Sequence, residues 1–240
     1  MSARPALKGR GFLTSALAAT ADWFIEPAEP AAAEGWPGPL EARPVVAVVG
    51  LSSRCGATTV ARALGAELAA RDPGGACVVT SAGSAGPCAL GLPAAARLAR
   101  TLSPLAGAGV RAWGRLCLVE THDRVAVAEA TRYLAPLVLD VADRAGASAA
   151  ALADHVLLVG LPTTEPALTA VIAESLSRAG GDPVAVLNRT GAGAERWEGR
   201  GAVELPESRM GAQLALAGRE PRGRLGRAVA ELADRCEGCR

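Results

Sequence analysis

Six short apolar runs recur between residues 45 and 188: VVAVVG (45–50), ACVVTS (76–81), RLCLVET (115–121), PLVLDV (136–141), HVLLVGL (155–161) and PVAVLN (183–188). They are continuous and rich in Val and Leu rather than alternating. A strand with one wet face alternates apolar and polar residues; a strand covered on both faces does not. Helical stretches lie at 58–71, 123–134, 164–180 and 223–235. The first places Val60, Leu64 and Leu68 on one face at helical spacing. The second opens on Asp123, a good N-cap. The third starts at Thr164 and Glu165 with Pro166 in its first turn. The fourth lines up Leu225, Val229 and Leu232. This alternation predicts an α/β fold: one domain of three layers around a doubly wound, mostly parallel sheet. Ligands in such folds sit beyond the carboxyl ends of the strands.

The 240 residues suit one such domain with a tail. Residues 1–43 are expected to be an N-terminal tail and linker, since 25–43 is rich in Pro, Ala, Gly and Glu. The domain is expected over 44–235 and a short tail over 236–240. Half the chain is hydrophobic, enough for a sizeable core. A net charge of +1 gives no general attraction to nucleic acid, and no specific nucleic-acid partner is predicted. No run approaches the ~20 apolar residues of a membrane span. The six cysteines follow no disulfide framework, which suits reduced thiols and a cytoplasmic setting. Residues 1–24 are read as a loosely ordered tail. An amphipathic helix touching a membrane surface through Phe12, Leu13, Leu17 and Trp23 stays open, as does a signal peptide. The C-terminal CEGC (236–239) has metal-ligand spacing but lacks a second pair. It is read as an exposed reducing tail, with zinc shared between two chains as the alternative. Glu120, His122 and Asp123 suggest acid–base chemistry, and a strand-end loop explains them equally well.

The first strand runs into GLSSRCGATT (50–59) and then a helix. A phosphate loop has this layout: glycines turn backbone N–H groups inward, and the helix N-terminus adds partial positive charge. The usual pattern is G-x-x-x-x-G-K-[ST]. Here Gly56 and Thr58 supply the last glycine and the hydroxyl. Ala57 replaces the lysine, and Leu51 stands where the first glycine belongs. Lys8 is the only lysine in the chain, so none can be realigned into the loop.

Over roughly residues 45–235 the chain resembles the ParA/MinD family of deviant P-loop ATPases. Ser52-Ser53-Arg54-Cys55-Gly56-Ala57-Thr58-Thr59 aligns with that family's K-G-G-V-G-K-T-T. The segment from Pro136 to Leu168 resembles its D-T-P-P-G stretch, the helix after it and the next strand. PVAVLNRT is similar to the strand whose asparagine borders the base, and VELPES to the I-P strand. The departures are specific. Ser52 and Ala57 replace both lysines, Thr80-Ser81-Ala82 replaces the acidic end of the second strand, and only Asp140 remains of the D-T-P-P-G carboxylate. The degenerate GATT loop resembles the TadZ/CpaE branch.

The resemblance implies a P-loop NTPase-like domain with a nucleotide site at Ser53, Arg54, Cys55, Gly56, Ala57, Thr58, Thr59, Asn188 and Pro206. It implies ATP held weakly or moderately, Mg²⁺ at Thr58 and Asp140, and no identified catalytic residue. It also implies a homodimer acting with protein partners in positioning or assembly of a septum, chromosome, pilus or flagellum. Hydrolysis should be slow or absent, because phosphoryl transfer needs positive charge over the γ-phosphate and a placed water. Two alternatives remain: a nucleotide-independent pseudo-ATPase scaffold, and an active ATPase using Arg54 or a partner's residue. Each residue also has a plainer reading. Thr58 and Thr59 could cap the helix, Arg54 could be a solvated charge, Asp140 could cap a turn, and Asn188 could close the turn before Gly191.

Overall fold

The computed structural model describes residues 41–80, 93–106, 109–141, 146–190 and 194–238, which belong to one compact unit. Expectations for residues 1–40, Ser81-Ala82, Gly191 and Cys239 lie outside the described residues. The chain runs β1 (Val45–Gly50), α1 (Ala57–Arg71), β2 (Ala76–Thr80), α2 (Pro93–Ala106), β3 (Val110–Trp113) and β4 (Leu116–Glu120). It continues through α3 (Arg124–Thr131), β5 (Leu137–Val141), α4 (Gly146–Ala150), β6 (His155–Gly160), α5 (Pro166–Arg178) and β7 (Pro183–Thr190). A short 3₁₀ turn (Ala194–Trp197), β8 (Val203–Pro206), α6 (Arg209–Leu216) and α7 (Gly223–Gly238) complete it.

The eight described strands form one sheet in the order β3-β4-β2-β5-β1-β6-β7-β8. Every pairing is parallel except β3 with β4. The six runs read from the sequence form the six central strands, and the helices pack on both faces. Alternate residues of each strand feed opposite layers. Val46, Val48 and Val78 join Leu64 and Leu68 of α1 and Val229 and Leu232 of α7. Val45, Ala47, Cys77 and Val79 join Leu98 and Leu102 of α2, Val127 of α3 and Leu176 of α5. The expected three-layer, mostly parallel α/β fold is thus observed.

Helix α1 is buried almost all round, as a helix covered on two sides must be. Gly65 lets it sit close to the sheet. A Cβ there would lie 2.2 Å from Val78 Cγ2. Asp123 caps α3, with Oδ1 accepting from Ala126 N at 3.0 Å. Thr164 does not cap α5; its hydroxyl accepts from Leu161 N at 2.9 Å, and Glu165 holds the cap position. Helix α7 runs past Arg235 to Gly238 and buries Cys236, so this cysteine is not the exposed thiol expected. Among the described residues, no helix is long and apolar enough to cross a membrane.

Candidate functional site

The chain crosses from β1 to β2 over β5, and from β5 to β6 over β1. The two crossovers leave a crevice at the carboxyl end of β1, where an open α/β sheet binds its ligands. The loop after β1 fills this place. Leu51 N donates to Val159 O at 2.9 Å, which holds the loop's first residue to β6. Cys55 N donates to Ser52 O at 3.3 Å and closes a turn. Arg54 (φ 62°) and Gly56 (φ 88°) are left-handed, and together they swing the chain into α1. For arginine such a conformation costs about 1 kcal/mol.

Gly56 is the N-cap of α1, and no side chain caps the helix. Thr58 and Thr59 therefore do not act as caps. The first-turn N–H groups keep no side-chain acceptor, the condition under which a helix N-terminus attracts an anion. Cys55 and Ala57 point inward and are buried, whereas Ser53 and Arg54 are exposed. The loop is tight at its base. A Cβ on Gly50 would lie 3.1 Å from Cys55 Sγ and 3.3 Å from Ala57 Cβ.

Asn188, near the end of β7, reaches across to this loop. Its Nδ2 donates to Cys55 O at 2.8 Å, and its Oδ1 accepts from Arg189 N at 3.0 Å. A side chain on Gly56 would collide with it, since a Cβ there would lie 2.2 Å from Nδ2. Asn188 therefore braces the loop, a role that neither reading of it anticipated. One amide proton and one oxygen lone pair remain available to a ligand. A cavity of about 300 Å³ opens beside α1, with Thr59, Asn188, Pro206 and Arg209 at its rim and Val60, Leu225 and Val229 below. Small-molecule sites start at about this size, with apolar walls and a few polar groups. Thr59, Asn188 and Pro206 thus share one cavity, adjoining the loop that holds Ser53 to Thr58.

A second group lies beneath Thr58. Thr80 of β2 stands opposite Asp140 of β5, and its Oγ1 donates to Asp140 Oδ2 at 3.1 Å. Asp140 is 1% exposed. Burial pushes its carboxyl above the usual range, against the Thr58 and Thr80 hydroxyls and the charges of Arg62 and Arg124. Arg62, in α1, is 2% exposed and donates from Nη1 to Leu216 O at 2.8 Å. Burial draws its guanidinium down, while Asp140 and Glu120 hold it up.

Thr58 and Asp140, the expected metal pair, do come together. The charge of Arg62 acts on Asp140 and Glu120, and that of Arg124 on Asp140. Two carboxylate oxygens here, Asp140 Oδ1 and Glu120 Oε1, are buried without a hydrogen-bond partner. Among the described residues no three His, Cys, Asp or Glu side chains group as metal ligands. Asp123, set beside Glu120 and His122 for acid–base work, is committed to its helix cap.

Arg62 escaped the sequence reading. Its signal was a lone arginine inside TTVARALGAELAA, among residues that are mostly buried.

No family model matches the sequence, and no curated protein matches it. Solved structures do. A ParA family ATPase from Chlorobium tepidum TLS superposes with a TM-score of 0.55 at 16% identity, covering 80% of this chain and 98% of that one. The MinD cell division protein of Aquifex aeolicus gives 0.56 at 15% identity, covering 81% and 97%. A Cyanothece McdA variant in complex with ATP gives 0.56 at 16% identity, covering 83% and 98%. The fold is that of the ParA/MinD ATPases. At these identities the likeness reaches the ParA/MinD architecture and stops short of its chemistry.

Proposed function

We propose that this chain is a nucleotide-binding ParA/MinD-like protein that dimerises and regulates the positioning or assembly of a larger structure, with weak or no ATP hydrolysis. One observation carries the reading: Asn188 ties the uncapped, glycine-turned loop at Cys55 to the wall of an adjoining cavity. Phosphates lie against the loop and the first turn of α1, near Ser53, Arg54, Cys55, Gly56, Ala57, Thr58 and Thr59. The base enters the cavity between Asn188 and Pro206. That McdA forms a complex with ATP supports ATP as the ligand. Thr58 and Asp140 stand where the resemblance puts Mg²⁺.

Hydrolysis is slow because Ala57 offers no charge over the γ-phosphate and Thr80 is no acid to place a water. Binding survives because backbone N–H groups do not depend on side-chain identity. The degenerate loop supports the narrower resemblance to the TadZ/CpaE branch. A protein partner is in keeping with the MinC:MinD complex of Aquifex aeolicus.

Sedimentation velocity of the full chain with and without ATP tests the coupling of binding to association. Dimer formation driven by ATP supports a regulator. An unchanged sedimentation coefficient at saturating ATP favours a nucleotide-independent scaffold.

A further inference from the structure

Helix α6 lines two separate cavities. Arg209 and Ala212 face the one beside Asn188, whereas Met210 and Leu214 face a second of about 590 Å³. The two have no lining residue in common. The floor of the second is apolar. Ala66 and Ala69 of α1 and Leu116 of β4 are buried beneath it, and Leu214 is half-buried. The short alanines leave the hollow, since a longer side chain on that face of α1 would fill it. Met210 is 67% exposed, more than any other large hydrophobic side chain described. Methionine is flexible and polarisable, and it recurs on surfaces that adapt to a partner.

The charged residues lining this groove are Arg115, Arg219 and Arg222 with one carboxylate, Glu220, and all four are exposed. The excess is local, because the chain as a whole carries 25 basic and 24 acidic residues. Arg115 donates from Nη1 to Ala70 O at 3.3 Å, which holds its guanidinium at the edge. Arg219 and Arg222 form no ion pair among the described residues. Arg71, next to Ala70 in α1, instead holds Glu67, Asp234 and Glu237 at once. The groove therefore combines an apolar floor with guanidiniums whose charge nothing in the described chain answers.

We propose that this groove docks an acidic amphipathic segment of a protein partner. An apolar side chain of the segment enters between Ala66, Ala69, Met210 and Leu214, and its carboxylates meet Arg219 and Arg222. Guanidinium pairs with carboxylate through two parallel hydrogen bonds, so the rim selects acidic residues and the floor selects apolar ones. A nucleic-acid backbone would answer the charge but bury nothing apolar, and no aromatic side chain lines the groove to stack a base. A bilayer would answer the charge too, but its flat surface does not enter a concave site. The inference deepens the partner reading above and rests on it for the existence of a partner.

The test is selection from a random linear peptide library on the full chain without nucleotide, followed by fluorescence anisotropy of the selected peptides. They carry net negative charge and apolar residues. The double variant Arg219→Glu, Arg222→Glu weakens them by at least about tenfold, and Met210→Asp by at least about threefold. Both variants melt at the wild-type temperature, because the substituted side chains are exposed. Polyglutamate, which has the charge without the apolar side chains, binds at least about tenfold more weakly than the selected peptides. Enrichment of no peptide over the double variant, or of basic or uncharged peptides, overturns the inference. So does equal binding to wild type and double variant, or polyglutamate binding as tightly as the selected peptides. Tighter binding of a mixed-sequence oligonucleotide or of phosphatidylserine vesicles, lost in the same double variant, assigns the surface to phosphate and also overturns it. No nucleotide is present, so these failures leave the ATP reading standing, and a failed ATP titration leaves the groove standing.

Discussion

Asn188 Nδ2 donates to the carbonyl of Cys55 at 2.8 Å and lies where a side chain on Gly56 would have to go. The end of β7 thereby fixes a loop that leaves β1 more than a hundred residues earlier. Asn188→Ala loses that bond and strands a carbonyl, which costs about 1–2 kcal/mol. Gly56→Ala forces a left-handed alanine and a collision, with a loss of about 1–3 kcal/mol. Together the two changes cost less than their sum, because Asn188→Ala removes the group that Gly56→Ala would strike. Urea unfolding of the two single variants and the double variant measures the coupling. Strict additivity would mean that Asn188 does not brace the loop.

Gly65 tests how closely α1 sits on the sheet. In an open helix Gly→Ala stabilises by up to about 1 kcal/mol. Here the added methyl would lie 2.2 Å from Val78 Cγ2. Gly65→Ala therefore destabilises by about 1–3 kcal/mol, opposite in sign to its helix propensity. Thermal unfolding reads that sign.

Ala57 tests what the missing lysine removed. Ala57→Lys adds a charge at the start of α1 and tightens ATP by about tenfold or more, since a charge-assisted bond is worth roughly 1.5–3 kcal/mol. Phosphate release does not rise in proportion, because the end of β2 still holds Thr80 rather than an acid. A paired binding and phosphate-release assay separates the two effects.

The fold was legible because six buried strands write themselves as Val/Leu runs. Strand β3 was not, since VRAW carries a charge on an antiparallel edge and forms no apolar run. Helix α2 was missed too, although Leu98 and Leu102 stand four apart; Pro104 and the surrounding alanines and arginines mask the stripe. Strand β8 is so short that only family resemblance flagged it. At the site, Gly56, Asn188, Pro206 and Asp140 could be singled out from the sequence. Arg62 could not, because only the packing of α1 beneath the end of α6 distinguishes it from a solvated helix charge. Nor could the bracing bond, since sequence places Asn188 at a strand end without showing which loop it meets.

Asp140 gives the site a pH dependence of definite sign. Burial raises its carboxyl above the usual value. Protonated Asp140 is therefore favoured in the folded chain, and its contribution to stability is full below the ordinary Asp pKa of about 3.9. That contribution is lost as pH rises through the higher folded value. Asp140→Asn has no such carboxylate. Its stability relative to wild type should improve as pH climbs from about 4 towards neutrality. Urea unfolding of both proteins across that range checks the slope, and an Asp140→Asn stability that falls relative to wild type as pH rises would contradict it.

The central claim is a site that holds nucleotide and scarcely cleaves it. The most direct test is calorimetric titration of the full chain with ATP, paired with phosphate release from the same sample. Saturable binding of weak to moderate affinity, with slow or undetectable release, is the predicted result. Brisk turnover, or no binding even at millimolar ATP, would contradict it.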